Sequence, residues 1–161
     1  MRTIDLIVIH CSATRCDRRF SLEDLIACHD ARFGFTGYHW YVRKDGTTYQ
    51  TRHEQLPGAH AKGYNQHSIG ICYEGGLTPD GEPADTRTPQ QKVALLRLLK
   101  QLRRKYPRAH ILGHRDLPNV SKAAIKRGQS DARIDSAERE QARPKVKDCP
   151  CFDAQEEYKD I

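Results

Sequence analysis

A chain of 161 residues, 37% hydrophobic and 30% charged, is long enough to bury a core as a single domain. It has no apolar run near the ~20 residues a membrane-spanning helix needs. Its net charge of +6 suits solubility or attraction to a polyanion, but aromatic residues are only 7% and not interleaved with basic ones, so charge alone does not select nucleic acid.

The chain opens on Leu6-Ile7-Val8-Ile9-His10-Cys11-Ser12-Ala13-Thr14. Four apolar residues run into a histidine and then into small polar residues, the pattern of a buried strand ending in a loop. A side chain at the end of such a strand is held rigidly at a surface cleft. Ser21, with Asp24 three residues on, caps a helix. Leu22, Leu25, Ile26, His29 and Phe33 share one face of it, so His29 is expected to be a packed core residue, and Gly34 ends the helix.

Residues 36–42 are aromatic and β-prone, Lys44-Asp45-Gly46 is a turn, and residues 47–51 return, which predicts a hairpin. Alternation puts Tyr38 and Trp40 on one face. Tyr38 then either points into the cleft beside His10 or packs on the sheet, and spacing leaves both open. Residues 57–67 form a polar, ring-rich loop of the kind that carries function. Residues 68–73 are a further buried strand, followed by a surface loop over 77–87.

Thr88-Pro89-Gln90-Gln91 starts a second helix, with Leu95, Leu98, Leu99 and Leu102 on its buried stripe. Ala109-His110-Ile111-Leu112-Gly113-His114 repeats the logic of the first strand. If the two strands are neighbours, His10 and His114 meet at one end of the sheet. Residues 119–143 are charged and poor in large apolar residues, as in an inserted arm. Asp153 caps a short last helix, with Glu156 three residues on.

His10, His114 and Cys149 form a possible His₂Cys metal set of the kind that leaves zinc one open position. Their scatter in sequence contains no compact zinc motif, and on chemistry alone unrelated polar residues are the favoured reading. The other cysteines, Cys11, Cys16, Cys28, Cys72 and Cys151, are expected to be free thiols or ligands, as in a cytosolic chain. A cysteine hydrolase using Cys11 beside His10 is disfavoured, because neighbours along a strand face opposite ways.

Five segments then carry a resemblance: residues 8–14, Gly37-Tyr38-His39-Trp40, His60-Ala61-Lys62-Gly63-Tyr64-Asn65, Ser68-Ile69-Gly70-Ile71-Cys72, and Lys147-Asp148-Cys149-Pro150-Cys151-Phe152-Asp153. In this order they resemble the zinc-dependent N-acetylmuramoyl-L-alanine amidases of the bacteriophage-lysozyme type, relatives of the peptidoglycan-recognition proteins. The resemblance implies an α+β fold, one domain over 1–161 with a central mixed β-sheet flanked by helices. It implies hydrolysis of the amide between N-acetylmuramic acid and L-alanine of the peptidoglycan stem peptide.

Carried over by motif, His10, His114 and Cys149 correspond to the ligands of one Zn²⁺ ion. Tyr38 corresponds to the residue that orients or deprotonates the attacking water, and Lys147 to the group that stabilises the oxyanion. His60, with Lys62 and Asn65, is expected near the substrate, His60 in a substrate or supporting role. The departure from the compact phage forms is the insertion at about 119–143, expected to border the cleft. The expected partners are the stem peptide and muramic acid, without nucleic acid or a membrane span, and the chain is expected to be a monomer. No signal peptide is recognisable, so synthesis in the cytoplasm followed by release or delivery to the cell wall is expected, as for a prophage endolysin. The reading from another class is a non-catalytic peptidoglycan-binding module, which loss of the cysteine ligand would mark.

Overall fold

Leu6–Cys11, hereafter β1, is buried along its whole length. In the computed structural model, which describes residues 1–118 and 148–161, this strand lies inside a five-stranded sheet. The other strands are β3 (Trp40–Val42), β4 (Thr48–Gln50), β5 (Ser68–Tyr73) and β7 (His110–Gly113), in the order β4-β3-β5-β1-β7. β1 pairs in parallel with both β5 and β7. The hairpin partner β4 runs antiparallel to β3 at the edge. A run as apolar as β1 is what a strand covered on both faces requires. The small pair β2 (Thr14–Arg15) and β6 (Gly76–Leu77) forms a second, two-stranded sheet. It falls partly within the stretch expected to be surface loop.

The two faces of β1 do different work. Ile7, Ile9 and Cys11 pack with Ile69, Ile71 and Tyr73 against α2 (Pro89–Lys105), whose Leu95, Leu98, Leu99 and Leu102 fill the main core. Leu6 and Val8 face the other way, toward Ala61, Tyr64 and Leu112. His10 follows them in alternation on that second face. The helix α1 (Leu22–Phe33) flanks the same side, through Leu25 against Tyr41 and Cys72.

Both long helices begin and end where their sequences indicate. Ser21 with Asp24, and Thr88 with Gln91, form reciprocal capping boxes, and Gly34 closes α1 at φ 75°. The last helix, α3 (Ala154–Glu157), is capped by Asp153, whose side chain accepts from the Glu156 N–H.

The expected pairing of Tyr38 with Trp40 on one face is corrected. β3 begins only at Trp40, so strict alternation does not reach back to Tyr38. Tyr38 packs beside Tyr41 and Cys72, whereas Trp40 borders the core under α2. The arm expected over 119–143, and Lys147, lie outside the described residues.

Candidate metal centre and groove

The parallel pairing of β1 with β7 sets Ile9 opposite Gly113. The next residue after each is a histidine, so His10 and His114 emerge together at one end of the sheet. Their ring centroids are 4.6 Å apart. Cys149 reaches them from the far end of the chain along three tethers. The Arg115 N–H donates to the Cys149 carbonyl at 2.8 Å. The Tyr73 hydroxyl donates to the Pro150 carbonyl at 2.6 Å. The Cys11 N–H donates to the Cys149 sulfur at 3.3 Å.

The donor atoms of His10, His114 and Cys149 all lie within 4.8 Å of one another. Two imidazoles and a thiol form a donor set suited to zinc. Burial, reinforced by the neighbouring His60, His114 and His29, holds His10 well below the usual histidine range, so the ring is neutral and keeps a lone pair to offer. These residues fit a metal ion.

The cluster opens into a groove of about 880 Å³. Tyr38 lines it, with its ring 5.0 Å from His10 and 4.9 Å from His29. Burial and the nearby cysteines push the Tyr38 phenol well above its usual range, so the hydroxyl keeps its proton at neutral pH. Arg32 and Lys62 lie exposed on the groove walls.

The residues carried over as substrate contacts separate on inspection. Lys62 is exposed at the groove. Asn65 also borders it, but its side-chain oxygen accepts from the His60 and Ala61 N–H groups at 2.9 and 3.0 Å, which fixes the loop. The His60 ring reaches inward to His10 and Ser68. Cys151 turns away, its sulfur donating to the Gly76 carbonyl at 3.4 Å. Cys11 faces the core under α2, which removes the geometry a Cys11–His10 hydrolase would need.

Sequence reasoning missed His29. Helical spacing placed it in the core, but it is a groove-wall residue whose Nδ1 accepts the Gly37 N–H at 2.8 Å. That bond fastens the turn leading into Tyr38. No periodicity distinguishes a ring at the edge of a buried stripe from one inside it, so the signal lay only in the Gly37 contact eight positions on.

Residues 1–131 match the N-acetylmuramoyl-L-alanine amidase family; the match stops short of Cys149. The chain is 38% identical over 110 residues to an endolysin of Enterobacteria phage K11, covering 68% of this chain and 73% of that one. It is 36% identical over 114 residues to the endolysin of Escherichia phage T7, covering 70% and 76%. Among solved structures it resembles the N-acetylmuramoyl-L-alanine amidase LysC from Clostridium intestinale, with a TM-score of 0.65 at 26% identity over 97% of this chain and 82% of that one. It also resembles Drosophila PGRP-LB, with a TM-score of 0.57 at 25% identity over 74% of each chain. A mixed sheet delivering its polar strand ends to one groove, and homology along most of the chain, lead to one conclusion: the protein belongs to the N-acetylmuramoyl-L-alanine amidase family and is a peptidoglycan amidase.

Proposed function

We propose that the chain is a zinc-dependent enzyme that cleaves the amide between the lactyl group of N-acetylmuramic acid and the L-alanine of the stem peptide. The observation that carries this reading is the convergence of His10, His114 and Cys149 donors at the groove. These three residues would hold one zinc ion. Bound zinc supplies Lewis acidity, making water acidic near neutral pH and polarising a carbonyl.

The chain's own residues do the rest. Tyr38, whose ring lies 5.0 Å from that of His10, is assigned to orient or deprotonate the attacking water. Lys147, two positions before Cys149 in sequence, is assigned by its motif alone, and its positive charge would stabilise the oxygen that becomes negative as the amide carbon turns tetrahedral. Lys62 on the groove wall suits the carboxylates of the stem peptide. The substrate is cell-wall peptidoglycan, and the phage endolysins among the relatives make lysis after release the best-supported setting. Among the described residues no helix is long and apolar enough to cross a membrane.

Mass spectrometry of purified peptidoglycan digested with the protein tests this. Release of stem peptides with a free L-alanine amine, abolished by a chelator and restored by zinc, is expected. Cleavage that survives complete metal removal overturns the zinc assignment. An intact sacculus after treatment with folded, zinc-loaded protein overturns the substrate.

A further inference from the structure

His10 Nε2 lies 3.0 Å from His60 Nδ1, and His60 Nε2 lies 3.1 Å from Ser68 Oγ. Ser68 is fully buried at the start of β5, and His10 is 1% exposed. Two glycines clear the slot in which the His60 ring sits. A Cβ on Gly70 would fall 2.6 Å from the ring's Cγ and Cδ2, and one on Gly58 would fall 2.7 Å from its Cδ2. Strand and loop therefore both lack a side chain where this ring packs.

A chain of two imidazoles and a hydroxyl has two proton arrangements. In one, His10 Nε2–H donates to His60 Nδ1, and His60 Nε2–H donates to Ser68. His10 Nδ1 is then bare. In the other, Ser68 donates to His60 Nε2, His60 Nδ1–H donates to His10 Nε2, and His10 Nδ1 carries the proton. Only the first leaves His10 with a free lone pair while the bond to His60 stays intact.

We infer that His60 is a positioning residue for the metal centre. It accepts the Nε2–H of His10, fixes that ring's tautomer and orientation, and presents Nδ1 as the ligand atom. The inference rests on the zinc assignment above. It separates His60 from the substrate contacts and gives it the role that a carboxylate or backbone carbonyl more commonly plays behind a metal-bound histidine. A neutral imidazole acceptor adds no negative charge behind the ligand, so it orients His10 without the extra basicity a carboxylate confers.

The test is zinc affinity, measured by competition with a chromophoric chelator, for the full chain and its variants. His60→Ala is expected to bind zinc 10- to 100-fold more weakly. His60→Asn, which keeps an acceptor at the δ position, is expected to recover most of that loss. Gly70→Ala, which leaves His60 in place but crowds its ring, is expected to fall with His60→Ala. With zinc saturating, KM for muramoyl-peptide fragments is expected to stay near the wild-type value. Wild-type zinc affinity in folded His60→Ala, with a raised KM, overturns the inference and returns His60 to the substrate site.

Should that variant not fold, nitrogen-15 NMR of the zinc-loaded wild-type chain decides. A protonated Nε2 on His10 is expected, and a protonated Nδ1 overturns the inference. A wild-type chain that binds no zinc at all overturns the metal assignment itself, an outcome distinct from either.

Discussion

The backbone N–H of Cys11 donates to the sulfur of Cys149 at 3.3 Å, across 138 positions of sequence. That donor holds the sulfur in place, and it comes from the same strand end that supplies His10. The central strand therefore contributes one prospective ligand directly and steadies another. Cys151, only two residues further, lies on the other side of the turn, with its sulfur 4.0 Å from that of Cys11. Cys149→Ser should lose bound zinc and drop activity by more than the ~100-fold reached by outer partners of a metal site. Cys151→Ser should keep both. Metal content and peptide release, measured side by side, check this, and the reverse pattern would make Cys151 the ligand.

Tyr38→Phe isolates the phenolic hydroxyl, because the ring that packs at 5.0 Å from His10 and 4.9 Å from His29 stays in place. The variant should fold and bind zinc as the parent does, while kcat falls by roughly 10²- to 10³-fold, the usual cost of losing one preorganised donor. An unchanged kcat would leave Tyr38 as a packing residue.

Much of the fold was legible because the local signals agree with one another. The two capping boxes, the Asp45-Gly46 hairpin turn, the leucine stripe of α2 and the unbroken apolar runs of β1 and β5 each have a short-range cause. The meeting of His10 and His114 was legible only conditionally. Two apolar strands ending in histidine do not dictate that they are neighbours, and the β5-β1-β7 order supplies that condition.

What escaped the sequence depends on contacts between distant segments. His60 was expected in a substrate or supporting role, and nothing local decides between them by revealing that Gly70 and Gly58 make room for its ring. Arg87 closes the stretch expected to be surface loop, yet it is 6% exposed. Tyr38 was assigned a strand face by alternation, which fails because regular pairing begins two residues later.

Arg87 fastens the segment that carries Cys149. Its guanidinium lies 3.2 Å from the centre of the Phe152 ring and donates to Asp85, Glu157 and the Tyr158 hydroxyl. A lysine keeps the charge but cannot fork between two carboxylates or stack flat on a ring. The carboxylates are about one-third exposed, so solvent screens part of the loss. Arg87→Lys should destabilise the fold by about 2 kcal/mol, seen as a lower urea midpoint at unchanged slope. The variant should also bind zinc more weakly, since Phe152 follows Cys149 by three residues. An unchanged urea midpoint would show that the stacked clamp adds nothing to stability.

Glu74 gives the fold a pH signature. Its side chain is 1% exposed and meets the Arg43 guanidinium at 2.6 Å. It also accepts the backbone N–H groups of Phe20 at 2.8 Å and Lys44 at 3.1 Å. Burial alone would raise this carboxyl, but Arg43 and the two N–H groups outweigh it and hold it below the usual range. A carboxylate whose folded pKa lies below its unfolded value, about 4.3, stabilises the fold fully above that value. The contribution is lost as pH falls through the lower, folded value. Glu74→Gln should therefore cost about 2 kcal/mol near pH 7, and the gap between variant and parent should close below about pH 4 as the parent's carboxyl takes up its proton. Urea titrations at several pH values measure that gap directly. A gap that stays constant into acid would mean that the substituted amide fails by the shape of its hydrogen bonds, and that the charge on Glu74 does not stabilise the fold.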